Sequence, residues 1–124
     1  MPLIDMPLDK LKVYQGRNPR PADFDEFWDR SLAEMNSIDP EADFAPYAFA
    51  SNIADCFELR FKSTKNAIIY AKFARPKNIT GKIPAVLNFH GLSGSGMSWS
   101  SMMGYVSQGY CIASLDCRGQ GGLS

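Results

Sequence analysis

A glycine-rich turn follows each of two apolar runs in the segment from Ile83 to Ser124, and these turns hold the residues best suited to catalysis. The first reads His90-Gly91-Leu92-Ser93-Gly94-Ser95-Gly96 directly after the apolar run Pro84 to Phe89. Acyl transfer needs backbone N–H groups aimed at the oxygen that becomes negative in the tetrahedral intermediate, each worth on the order of 3 kcal/mol of barrier. Glycines just past a strand let the chain turn sharply enough to expose such amides. The N–H of Leu92, with Gly91 beside it, is the candidate oxyanion donor. A mobile loop without chemistry would have the same composition, and the motif alone leaves both readings open.

A nucleophile is harder to find. Gly91-Leu92-Ser93-Gly94-Ser95 misses the final glycine of G-x-S-x-G, and the single histidine, His90, lies three residues from Ser93 on the same turn. A serine needs an adjacent base that is itself oriented by a third group, which this arrangement does not offer. His90 is therefore expected to be structural, its ring hydrogen-bonding the loop beneath the site. The second turn, Asp116-Cys117-Arg118-Gly119-Gln120-Gly121-Gly122, invites a phosphate-binding reading but lacks the G-x-G-x-x-G spacing and the lysine and Ser/Thr of a Walker loop. Asp116 and Arg118 are expected as near-buried charges that pin the strand-to-loop geometry, with the glycines permitting close backbone approach. No metal-ligand spacing occurs, so neither metal nor cofactor is expected.

The elements that would carry these turns follow from periodicity. Met6 to Tyr14 suits a short helix. Pro21 suits a first helical position, and Phe24, Phe27, Trp28, Leu32 and Met35 recur at helical spacing behind it. That stripe is read as packing onto its own domain; a partner-binding face is the alternative. Phe44 to Phe49 reads as an edge strand broken by Pro46. Phe57, Leu59 and Phe61 alternate with Glu58, Arg60 and Lys62, and a second run from Ala67 to Ala74 follows Ser63-Thr64-Lys65-Asn66, which predicts a hairpin. Pro84 to Phe89 has the length of a central parallel strand, Trp99 to Gln108 predicts a helix capped by Gly109, and Tyr110 to Leu115 predicts the next buried strand. The fold class is α/β: an antiparallel hairpin, then parallel strands joined by a crossover helix.

Composition bounds the rest. With 124 residues, 45% of them hydrophobic and 21% charged, the chain has an ordinary globular make-up and reads as one domain, residues 1–124. Thirteen basic and thirteen acidic residues cancel, which disfavours nucleic acid or an anionic membrane as partner. No run approaches the roughly 20 apolar residues of a membrane span. The start, Met1-Pro2-Leu3-Ile4-Asp5, shows neither a basic region nor an apolar core, so no signal peptide is read and a cytoplasmic location is expected. Cys56, Cys111 and Cys117 fit reduced cysteines serving as small hydrophobes. A Cys111–Cys117 disulfide is excluded by their separation along an extended strand.

Taken in order, these segments resemble the acetyl xylan esterase and cephalosporin-C deacetylase family, carbohydrate esterase family seven of the α/β-hydrolases. The resemblance rests on Met1 to Leu8, on Asn18-Pro19-Arg20-Pro21-Ala22-Asp23-Phe24-Asp25-Glu26-Phe27-Trp28, on Ala74-Arg75-Pro76-Lys77, on His90-Gly91, and on Asp116 to Gly122 with Leu123-Ser124 behind it. It implies a serine esterase that removes acetyl groups from short xylo-oligosaccharides and from cephalosporin C without a metal, assembled as a homo-hexamer. It also implies that the serine, aspartate and histidine of the triad lie downstream of Ser124, so that this segment alone is inactive. Family members often carry a tyrosine after His-Gly, where this chain has Leu92; the backbone donor survives that change and the side chain's substrate contact does not. Two other readings remain beside it: a non-catalytic carbohydrate-binding or interaction module pairing through an exposed sheet edge, and another α/β-hydrolase such as a peptidase.

Overall fold

The structure, a computed structural model, describes residues 6–124. The opening pentapeptide, on which the leader reading and the start of the resemblance rest, lies outside the described residues. The chain divides into two compact units, Met1–Ala33 and Glu34–Ser124. In the first, α1 is a single turn, Leu8–Leu11, shorter than the helix expected from Met6 to Tyr14. Its cap is Pro7, which has no side-chain acceptor to offer, so the orphan N–H groups of the first turn gain no side-chain partner.

The helix α2 runs over Phe24–Asn36, and Pro21 stands outside it. Its carbonyl accepts from the Phe24 N–H in a turn that precedes the helix, so the first helical position falls three residues later than expected. Arg20 pairs with Asp25, and Arg30 pairs with Glu26 one helical turn away at 2.9 Å. No residue of α2 is buried. The stripe expected to pack is exposed, and its rings pair along the helix instead, Phe27 with Trp28 edge-on at 5.6 Å and Phe24 with Trp28 at 6.3 Å.

In the second unit, the run Ala54 to Lys62 builds a strand with two different faces, Ala54 and Cys56 on one and Phe57, Leu59 and Phe61 on the other. The five strands are β1 (Asp43–Pro46), β2 (Ala54–Lys62), β3 (Ile68–Pro76), β4 (Ala85–Phe89) and β5 (Cys111–Leu115), in the spatial order β1-β2-β3-β5-β4. The hairpin β2–β3 pairs antiparallel from Ala54↔Pro76 to Lys62↔Ile68, and its turn holds Lys65 and Asn66 at positive φ (59° and 57°). β4 and β5 are parallel, joined through α3 (Trp99–Val106), and β5 also pairs antiparallel with β3. The sheet is thus mixed, mostly antiparallel with one parallel pair, and belongs to the α/β class.

Register decides which residues meet α3. Ala54, Cys56, Ala74 and Ile112 point to one face, where Trp99, Met102 and Val106 of the helix close over them. Met102 and Ile112 are fully buried, each contributing about 1.5–3 kcal/mol. Ser98 caps α3 by accepting from the Ser101 N–H, and Gly109, at φ +87°, ends the helical turn so that β5 starts two residues on. On the opposite face Phe44, Phe57 and Phe73 form a ring cluster with centroids 5.4 to 6.4 Å apart. There Leu87 and Phe89 are 63% and 60% exposed. β4, expected as a central strand, occupies an edge of the sheet among the described residues, because β5 inserts between it and the hairpin.

Candidate functional site

Both glycine-rich turns emerge from the same end of the parallel pair β4–β5, which brings them side by side. Gly91 to Gly94 close a four-residue turn, the Gly94 N–H donating to the Gly91 carbonyl at 3.0 Å, with Ser93 at φ 60° in its third position. A non-glycine residue at positive φ costs roughly 1–2 kcal/mol and persists only where its surroundings hold it. Of the three N–H groups of Leu92, Ser93 and Gly94, that of Gly94 goes to Gly91, that of Ser93 goes to Gln120 Oε1 at 2.7 Å, and that of Leu92 meets no acceptor among the described residues. Leu92 itself is 93% exposed. Of the three N–H groups inside the turn, that of Leu92 is therefore the one left without a partner among the described residues.

His90 orients that donor through the peptide plane. Its Nε2 accepts from the Cys117 N–H at 2.9 Å, which leaves the ring proton on Nδ1, and Nδ1 donates to the Gly91 carbonyl at 2.7 Å. The Gly91 oxygen and the Leu92 N–H belong to one rigid, planar trans unit and point in opposite directions. Holding the oxygen with two donors consequently aims the Leu92 N–H away from the loop's interior. Both imidazole nitrogens are engaged in this, so His90 is a fixed hydrogen-bonding strut and does not act as a base.

Asp116, 2% exposed, ties the two turns together: Oδ1 accepts from the Gly96 N–H at 2.6 Å and Oδ2 from the Leu123 N–H at 2.8 Å. Charge-assisted bonds of this kind are about twice as strong as neutral ones. The approach is close enough to exclude side chains. A Cβ on Gly121 would lie 2.7 Å from the Gly94 carbonyl oxygen, and one on Gly122, at φ +106°, would collide with the Asp116 carboxylate. Beneath them Ser114, fully buried, donates to Asn88 Oδ1 at 2.9 Å and accepts from the Met97 N–H at 2.8 Å, linking β4, β5 and the start of α3.

Arg118 differs from expectation. It is exposed, because its long side chain leaves the turn and reaches back to the hairpin, donating to the Thr64 carbonyl at 2.9 Å. It braces the second turn from outside the packed interior. Ser114, Asn88 and Gln120 were not singled out from sequence; a glutamine flanked by glycines in a strand-end turn, short of other acceptors, was the available signal for the last.

Two of the three cysteines sit in surroundings that disfavour the thiolate. Burial pushes the Cys56 thiol up, with Asp55 adding to the effect, and burial likewise raises Cys111, so neither is a thiolate nucleophile at neutral pH. All three cysteines are unpaired. Among the described residues no cluster of three or more His, Cys, Asp or Glu side chains is placed to hold a metal, and no helix is long and apolar enough to cross a membrane.

A mixed sheet with a parallel strand–helix–strand unit and a glycine-rich turn after each of its two strands is the arrangement of the N-terminal portion of an α/β-hydrolase sheet. The chain belongs to the acetyl xylan esterase family (AXE1), which it matches over residues 1–124. It is similar to the crystal structure of acetyl xylan esterase 1 from Thermoanaerobacterium sp. JW/SL YS485, with 44% identity and a TM-score of 0.87 over 95% of this chain and 37% of that one. It is also similar to an acetyl xylan esterase from Paenibacillus sp. R4, with 26% identity and a TM-score of 0.81 over 95% of this chain and 38% of that one. The chain thus spans less than two-fifths of the length of either structure.

Proposed function

We propose that this chain forms the oxyanion side of a serine carboxylesterase that removes acetyl groups from short xylo-oligosaccharides and from cephalosporin C. The observation that carries the reading is the unpaired Leu92 N–H, held outward by His90 through the Gly91 carbonyl. A serine supplied from beyond Ser124 attacks the acetyl carbonyl carbon, the carbonyl oxygen becomes anionic, and the Leu92 N–H donates to it; collapse expels the deacetylated hydroxyl of the substrate, which takes up the proton removed from the serine, and leaves an acetyl-enzyme that water hydrolyses. The histidine and aspartate that move the serine's proton also come from beyond Ser124, because His90 is fully engaged. The segment by itself is then inactive.

The same reading carries a cytoplasmic, homo-hexameric assembly acting on small acetylated substrates, with no nucleic acid or membrane partner. The 93% exposure of Leu92 leaves its side chain free to touch substrate beside the donor. Release of acetate by the whole protein, compared with longer acyl esters and with peptides, tests the proposal. Preferential acetate release from acetylated xylo-oligosaccharides and cephalosporin C is expected, and preferential peptide hydrolysis would overturn it.

A further inference from the structure

Leu92 lies between two peptide planes, and only the first, Gly91–Leu92, is accounted for by His90. The second, Leu92–Ser93, carries the Ser93 N–H, whose acceptor is the Gln120 side chain at 2.7 Å, 27 positions along the chain. We infer that Gln120 is a positioning residue for the oxyanion donor, an inference that rests on the esterase reading above. By holding the Leu92–Ser93 plane it fixes the rotation about the Leu92 Cα that His90 leaves free, and it stabilises Ser93 at its φ of 60°.

Gln120 is itself held on three sides. Its backbone N–H donates to the Cys117 carbonyl at 3.2 Å, closing a turn with Gly119 at φ +73° in its third position. Arg118, inside that turn, is anchored on Thr64, and Gly121, next in sequence, packs against the Gly94 carbonyl. Because the backbone beneath it is already fixed, accepting the Ser93 N–H costs only the rotamer freedom of the side chain itself. The structure thereby has both peptide planes that meet at Leu92 pinned from the second turn, the one that carries the donor through the Cys117 N–H and His90, the other through Gln120.

The test compares Gln120→Met, similar in size but without the amide acceptor, and Gln120→Glu, which keeps an acceptor, in the whole protein. Hydrogen exchange followed on the peptide containing Ser93 should quicken in Gln120→Met and stay slow in Gln120→Glu, while the peptide containing Leu123, held by Asp116, exchanges as in wild type in both. Acetate release by Gln120→Met should lose about tenfold or more in kcat with KM unchanged, since deleting an oxyanion donor outright costs about 10²–10³ and misaiming one costs less. Unchanged exchange at Ser93, or wild-type kcat in Gln120→Met, would overturn the assignment. If wild type releases no acetate, the esterase reading fails instead, and the exchange experiment still tests whether Gln120 holds the turn.

Discussion

Replacing Asp116 by asparagine isolates the clamp between the two turns. The carboxylate is 2% exposed and accepts one N–H on each oxygen, from Gly96 at 2.6 Å and from Leu123 at 2.8 Å. Asparagine preserves the shape but keeps one acceptor, so whichever way the amide turns, its NH₂ faces one of those two N–H groups. Leu123 is 66% exposed and can exchange its lost partner for water, whereas Gly96 is closed in beneath Ser114 and Asp116, so the amide oxygen should stay with Gly96. The cost is then one hydrogen bond to a charged acceptor plus a donor-to-donor contact, less the desolvation recovered by removing a buried charge, or about 2 kcal/mol. With an unfolding entropy of about 2.1 cal/mol/K per residue and a whole protein as long as its neighbours, about 300 residues, the melting temperature should fall by about 3 °C in calorimetry. Because Gly96 keeps its partner, most of the acetate-releasing activity should survive below the melt. An unchanged melting temperature would refute the clamp.

Two further perturbations test other parts of the fold. Gly104→Ala sits inside α3 where an added Cβ meets nothing within 4 Å, so it should stabilise the protein by about 0.5–1 kcal/mol in a denaturant titration; destabilisation would contradict the helix packing described. Tyr70, 4% exposed and donating to Glu58 Oε1 at 3.1 Å, is pushed up to about 12, first by burial and then by that bond. Its raised value means that the unfolded chain ionises near pH 10 while the folded one holds its proton, so its contribution is complete below pH 10 and fades as pH rises through 12. The stability difference between wild type and Tyr70→Phe should therefore be constant up to pH 10 and shrink above it in urea melts, and a constant difference to pH 11.5 would contradict this.

Local patterns made the hairpin and the strand–helix–strand unit legible. Phe57, Leu59 and Phe61 alternate with charges because they share the face of β2 that carries the phenylalanine cluster, while Glu58, Arg60 and Lys62 continue the other face past the buried Ala54 and Cys56 into ion pairs, and Gly109 announces the end of α3 because only a residue tolerant of positive φ fits there. The order of the strands was not legible. Insertion of β5 between β3 and β4 is a long-range choice that leaves no periodic trace. Arg118 was read as near-buried from its place beside Asp116, but the reach of its side chain to Thr64 depends on where the hairpin turn falls in space. The amide of Leu92 was singled out from the glycines around it, whereas the pairing of Ser93 with Gln120 needed the two turns to be brought together by β4 and β5. The aromatic stripe of α2 had the spacing of a packing face, yet its rings are exposed and pair along the helix.

The role assigned to the Leu92 amide is open to a single deletion. Leu92 is the second residue of the Gly91–Gly94 turn, a position that proline favours when the third residue has positive φ, so Leu92→Pro removes the N–H while suiting the turn. Leu92→Ala removes the side chain and keeps the N–H. In the whole protein, kcat for acetate release should fall by about 10²–10³ in Leu92→Pro, with its melting temperature close to wild type, and by no more than a few-fold in Leu92→Ala. Equal activity in the proline and alanine variants would contradict the donor role.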